Sequence, residues 1–151
     1  MDLGIKNKTA LVCASSQGLG LACAMALARE GVNVVINGRD QERLEKATRE
    51  IQTKTGRVPQ SILADITTES GRETIFNACP APDILINNNA GPPPGQLSDW
   101  NHDVWIDAIE ANMLAPILLI RGYVNGMRER KFGRIVNITS AMVKQPRTRM
   151  A

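Results

Sequence analysis

Five short runs rich in β-branched residues, each parted from the next by a longer stretch with helical periodicity, constrain this chain more than any other feature. "TALVCA" precedes "GLGLACAMALAREG", "VNVVING" precedes "RDQERLEKATREIQTKTG", and "VPQSILAD" precedes "TTESGRETIFNAC". "PDILINNNAG" then leads into a long helical segment from about Ser98 to Lys131, and "GRIVNITS" follows as the fifth run. Alternation of this kind implies right-handed crossovers between parallel strands, and hence an α/β fold with a doubly wound sheet. Continuous apolar runs such as "DILIN" and "RIVNI" suit strands covered on both faces. Gly31 and Gly56 are placed to close the first two helices, and Thr67 or Thr68 to open the third. Leu44, Ala47 and Ile51 share one face of the second helix. Pro116 predicts a kink or a local irregularity inside the long fourth segment.

In a doubly wound sheet, ligands bind beyond the carboxyl ends of the strands, where the strand order reverses. After the first strand come Ala14, Ser15, Ser16, Gln17, Gly18, Leu19 and Gly20. Gly18 and Gly20 allow a tight turn and a close backbone approach, and a helix starting there turns free N–H groups and its positive dipole end outward. A pyrophosphate fits such a turn, although tight strand–helix packing alone also explains the glycines. After the second strand, Gly38 stands where a carboxylate would hold a ribose 2′-hydroxyl, and Arg39 follows. A basic residue there suits the 2′-phosphate of NADP, or else opens the next helix toward solvent. After the third strand, Asp65 and Ile66 follow; Asp65 either accepts the adenine amino group or caps a helix. After the fourth, Asn89, Ala90 and Gly91 leave room for a flat ligand, and after the fifth come Thr139 and Ser140.

Hydrophobic residues make up 43% and charged residues 22%, the balance of an ordinary globular domain, and no apolar run approaches the ~20 residues that span a bilayer. Cys13, Cys23 and Cys79 are odd in number and lack a C-x-x-C, which suits reduced thiols in a cytoplasmic protein and neither a disulfide frame nor a zinc site. The net charge of +3 divides unevenly, −4 over residues 1–115 and +7 over residues 116–151. No aromatic residues interleave the basic "MRERKFGR", so it reads as a solvated face, and neither nucleic acid nor membrane is expected as a partner. His102 falls in the first turn of the long helix without a catalytic role. Trp100 and Trp105 read as packing anchors near the cleft, and Met113 and Leu114 as core or subunit contacts. Cys13 reads as a small buried hydrophobe.

Taken in order, these residues resemble the short-chain dehydrogenase/reductase family, especially its 3-oxoacyl-carrier-protein-reductase-like members. The family's T-G-x-x-x-G-x-G falls on Cys13 to Gly20, with Ala14 for the first glycine, a change the turn permits if the alanine's φ is negative. Its "NNAG" falls on Asn88, Asn89, Ala90 and Gly91, which the resemblance places beside the adenine and ribose. It assigns Asn112 of "EANMLAP" to a proton-relay water and Ser140 of "GRIVNITS" to the catalytic serine. The family's Tyr-x-x-x-Lys falls beyond Ala151; Tyr123 and Lys144 do not replace it.

The resemblance implies a Rossmann-type sheet with five strands present in the order 3-2-1-4-5. It also implies a single dinucleotide-binding domain over residues 1–151, incomplete at its carboxyl end. NADP(H) is the expected cofactor, ahead of NAD(H), and the expected chemistry is carbonyl reduction on a small-molecule or acyl-thioester substrate, including 3-oxoacyl thioesters. The full-length form is expected to be a homo-tetramer. Without the tyrosine and lysine the chain as given is expected to lack turnover, which leaves a non-catalytic nucleotide-binding module as the second reading. For a carrier-bound substrate, Arg128, Arg130 and Lys131 are the residues expected to dock the acidic carrier.

Overall fold

A computed structural model describes residues 2–145 of the chain. Strands β1 (Thr9–Val12), β2 (Asn33–Gly38), β3 (Gln60–Leu63), β4 (Ile84–Asn87) and β5 (Arg134–Asn137) are all parallel and lie in the order β3-β2-β1-β4-β5. They are joined by helices α1 (Gly18–Arg29), α2 (Gln41–Thr55), α3 (Glu69–Ala78), α4 (His102–Ile109) and α5 (Ala115–Glu129). This is the doubly wound order predicted above. The order reverses between β1 and β4, so the crevice of such a sheet opens beyond the carboxyl ends of these two strands.

Successive strand residues point to opposite faces, and here each face has its own helices. Ala10, Val12, Val34, Ile36, Ile84 and Ile86 pack with α1 and with Leu44, Ala47 and Ile51 of α2. Leu11, Val35, Ile62 and Leu85 pack with Ile75 of α3 and with Leu119, Tyr123 and Met127 of α5. Both faces being dry explains why the strand sequences are apolar throughout. The two edge strands are the exceptions: Gln60, Ser61 and Leu63 of β3 and Val136 of β5 are exposed.

The helix boundaries follow local chemistry. Asp40 caps α2 by accepting the Arg43 N–H at 3.0 Å, and α2 gives way to Gly56. Thr68, not Thr67, caps α3, accepting the Gly71 N–H at 3.0 Å. The long fourth segment departs from the expectation of one helix starting at Ser98. Leu97–Asp99 is a 3₁₀ turn held by the Gln96 N–H on the Asp99 carboxylate at 2.8 Å, and the helix starts only at His102 because Asn101 supplies the cap, 3.0 Å from the Val104 N–H. A π turn, Glu110–Leu114, then separates α4 from α5, immediately before Pro116. The Ala115 N–H reaches back five residues to the Glu110 carbonyl, and Pro116 has no N–H for the next rung. Met113 and Leu114, expected in the core or at subunit contacts, lie 51% and 39% exposed in this π turn, so neither belongs to the core of this chain. Among the described residues no helix is long and apolar enough to cross a membrane.

Candidate active site

The turn after β1 is built from inside. Ser15 is fully buried, and its hydroxyl donates to the Val12 carbonyl at 2.7 Å while accepting the Asn37 N–H at 3.0 Å. Asn37, also buried, donates through Nδ2 to the Ile62 and Ala64 carbonyls at 3.2 and 2.9 Å, which locks the ends of β2 and β3 together. A Cβ on Gly20 would collide with the Ala14 carbonyl oxygen and stand 2.8 Å from Ser15 Cα, so only glycine lets α1 press against the turn. Ala14 itself adopts φ +43°, not the negative φ its side chain would favour. The loop closes as tightly as a glycine would allow, and the alanine carries the strain.

The amino end of α1 differs from its neighbours. α2, α3 and α4 each begin with a side-chain cap and an acidic first turn, whereas α1 has neither: Gln17 makes no capping bond. Gln17, Gly18 and Leu19 are exposed there, with Gly18 at φ +58°. Free amides and the helix dipole favour an anion at this point. Ser16, half-buried, is the remaining polar side chain of the turn. Ser15 is excluded from side-chain contact with any ligand, since its hydroxyl is committed inside.

Beyond β2, Arg39 is exposed and its Nη1 lies 3.2 Å from the Asp65 carboxylate. Arg43, which the sequence reading passed over, approaches the same corner from α2. Its Nε is 3.3 Å from Asp40 and its Nη1 is 3.4 Å from Gln17 Oε1. The signal for it was a second arginine in the first turn of the helix that follows Arg39. Asp65 also accepts the Thr67 N–H at 2.9 Å and the Thr67 hydroxyl at 2.7 Å. Partial burial works to raise its pKa, but these two bonds and the Arg39 charge outweigh it and hold the carboxyl below its ordinary value. It is therefore ionised at neutral pH, and it ties its own loop as well as Arg39. Ile66 behind it is buried.

The other wall of the cleft comes from β4. Asn87 ends the strand, its Nδ2 2.8 Å from Asn137 Oδ1 on β5, and its own Oδ1 is buried without a partner. Asn88 reaches back to the Ala14 carbonyl at 3.1 Å. Asn89 donates to the Ala111 carbonyl at 3.3 Å, and Asn112 returns the bond to the Ala90 carbonyl at the same distance. Asn112 Nδ2 also reaches the Ala108 carbonyl at 3.1 Å. The π turn and Pro116 explain why helix carbonyls are free to accept side chains here.

A cavity of about 500 Å³ lies between the two walls, lined by Arg39, Thr67, Asn89, Ala90, Gly91 and Glu110 among others. A second cavity, about 300 Å³, is lined by Asn87, Asn112, Asn137, Ile117 and Thr139. Ser140, next to Thr139, is exposed, and its Oγ accepts the Met142 N–H at 3.1 Å. The candidate residues thus all follow the carboxyl ends of the strands, although neither cavity is lined by the Ala14–Gly20 turn or by Ser140.

The sequence profile described as short chain dehydrogenase matches residues 8–151. This chain belongs to that family. It is 37% identical to the Bacillus subtilis oxidoreductase YvaG, over all of this chain and 58% of that protein. Among solved structures it is similar to L-sorbose reductase from Gluconobacter frateurii, crystallised with NADPH and L-sorbose, with a TM-score of 0.90 and 31% identity over 99% of this chain and 59% of that one. A protein provisionally described as a betaketoacyl-ACP reductase aligns with a TM-score of 0.88 and 29% identity, over 97% of this chain and 59% of its own. The chain therefore spans a little under three fifths of the length of these relatives.

Other features fall away from the site. Tyr123 is buried, donates to the Cys79 carbonyl at 2.9 Å and stacks edge-on with Phe76, and burial raises its pKa. His102 is exposed at the start of α4. Trp100 and Trp105 pack edge-to-face at 5.3 Å. Arg130 is tied to Asp83 at 3.8 Å and to the Pro82 carbonyl at 2.9 Å. With Arg128 and Lys131 it sits where α5 ends and β5 begins, at the sheet edge opposite the cleft. Four residues of strand, about 13 Å, separate that edge from the site. A carrier docked there would lie at the opposite end of β5 from the cleft mouth.

Proposed function

We propose that this chain is the nucleotide-binding part of an NADP(H)-dependent carbonyl reductase. The observation that carries the reading is the corner at the end of β2. Gly38 offers no carboxylate to a ribose hydroxyl, while Arg43 stands beside the uncapped start of α1 and Arg39 lines the neighbouring cavity. Pyrophosphate would lie on the amides of Gly18 to Gly20, the 2′-phosphate against Arg39, and the adenine near Asp65 and Ile66, with Asn89 to Gly91 beside the ribose. The bound cofactor supplies the hydride. Ser140 would hydrogen-bond the substrate oxygen and Asn112 would hold the relay water, while the proton comes from a donor outside residues 2–145. NAD(H) is the weaker alternative because it leaves both arginines without a phosphate.

A small carbonyl compound fits best as substrate. The likeness to L-sorbose reductase and to the betaketoacyl-ACP reductase supports a ketone. The apolar outer face of Ile106, Ile109, Met113 and Ile117 supports a homo-oligomer, a tetramer, in the full-length protein. The second reading, a nucleotide-binding module without turnover, keeps the same cofactor contacts.

The test is cofactor discrimination. Losing one charged contact to a phosphate costs roughly 1.5–3 kcal/mol, so Arg39→Ala is expected to raise the Kd for NADPH about 10- to 100-fold and leave that for NADH within about threefold. Equal loss for both would refute the assignment. NADPH binding without NADPH oxidation by the full-length chain, across a panel of ketones, would select the module.

A further inference from the structure

We infer that Arg72, outside every motif considered above, is a positioning residue that fixes the two walls of the nucleotide cavity relative to each other. The inference rests on the nucleotide reading of the cleft. Arg72 lies on α3, and its side chain is only 13% exposed. From there a single nitrogen, Nη1, serves three acceptors: the Ile66 carbonyl at 2.9 Å, the Thr67 carbonyl at 2.9 Å and the Glu110 carboxylate at 3.4 Å. The first two belong to the loop that presents Asp65 and Ile66. The third opens the π turn that carries Asn112, and both Thr67 and Glu110 line the 500 Å³ cavity.

A nearly buried guanidinium is an expensive group to place, and it is kept only where its bonds are made. Here those bonds join two segments distant in sequence and adjacent in the cleft. On one side the charge steadies backbone carbonyls that would otherwise let the Asp65–Thr67 turn shift. On the other it holds Glu110, and with it the start of the π turn whose Ala111 carbonyl accepts Asn89. Neither Arg72 nor its Nη1 lines the cavity, so the effect on a ligand passes through the walls. On the nucleotide reading the adenine half of the cofactor would be held between those walls by Asp65 and Ile66, and the nicotinamide half toward β4 and β5. Arg72 should therefore tune affinity for one half only.

The experiment measures dissociation constants of 2′,5′-ADP, NADPH and nicotinamide mononucleotide, at a temperature well below unfolding, in the full-length chain and in Arg72→Met, Arg72→Lys and Glu110→Gln. Thermal melts run alongside. Small displacements of binding groups cost up to 10²-fold, so Arg72→Met is expected to weaken 2′,5′-ADP and NADPH about tenfold and to leave nicotinamide mononucleotide unchanged. Arg72→Lys is expected to recover part of the loss. Glu110→Gln, which keeps both carbonyl bonds, is expected to cost about threefold and carries the test if Arg72→Met does not fold. A fall in melting temperature with unchanged 2′,5′-ADP affinity in Arg72→Met, or in Glu110→Gln where that variant stands in, would make the residue purely structural and overturn the inference. Equal weakening of both halves would overturn it too. Failure of the unmutated chain to bind 2′,5′-ADP would instead overturn the nucleotide reading, and the inference with it.

Discussion

Ala14 is held at φ +43°, a left-handed conformation that a Cβ makes costly by about 1–2 kcal/mol. Its carbonyl accepts Asn88, and its N–H lies 3.5 Å from Asn37 Oδ1, so neighbours on both sides fix the conformation. Ala14→Gly removes the strain and loses part of the gain to the freer unfolded chain, leaving a net stabilisation of about 0.5–1 kcal/mol. A urea titration of both proteins checks this, and a destabilised glycine variant would mean that the methyl group is packed to advantage. At this scale the sequence was legible for chain position but not for side-chain direction. The residues from Ala14 to Gly20 line up where the turn needs them, yet nothing in "ASSQGLG" reveals that Ser15 points inward. Its partner Asn37 lies on another strand, and only the register of β1 with β2 brings the two together.

Among the elements, α5 packs against α3 through a glycine. Gly122 sits where a Cβ would stand 2.6 Å from Phe76 Cζ, and Phe76 in turn stacks on Tyr123 at 5.0 Å. Gly122→Ala improves helix propensity by under about 1 kcal/mol but overpacks the seam by about 1–3 kcal/mol. A net loss of about 1–2 kcal/mol is expected, and it should shrink in a Phe76→Leu background. Equal losses in both backgrounds would place the cost elsewhere. Helix ends were readable where a cap or a glycine marks them, as at Gly56. The start of the long segment was not, because Asn101 competes with Ser98 as a cap and only the fold chooses between them. Pro116 did announce an irregularity. That it takes the form of a π turn, which frees carbonyls for Asn89 and Asn112, depends on strand-end side chains reaching the helix from β4.

The whole sheet sets the protein's response to alkali. Strand order and layering were legible because the central strands must be dry on both faces, and that same dryness surrounds two thiols. Cys13 is fully buried at the end of β1. Burial pushes its pKa up to about 12, the Cys79 thiol adds to the rise, and a backbone hydrogen bond from Asn88 opposes it. Burial alone raises Cys79 to about 11. An unfolded thiol titrates near about 8.5. Below that pH both states keep their protons and the native advantage is intact. Above it the unfolded chain releases protons that the folded chain retains, so stability falls as pH rises toward the folded pKa values, by roughly 1.4 kcal/mol per pH unit per thiol. Tyr123, also raised, steepens the fall above about pH 10. Urea midpoints measured from pH 7 to pH 10 are expected to decline in the natural protein and to flatten in Cys13→Ala/Cys79→Ala. A natural protein whose midpoint declines no more steeply than the double variant's would mean that water reaches the thiols and that the sheet opens locally at the end of β1, beside the turn proposed to bind the cofactor.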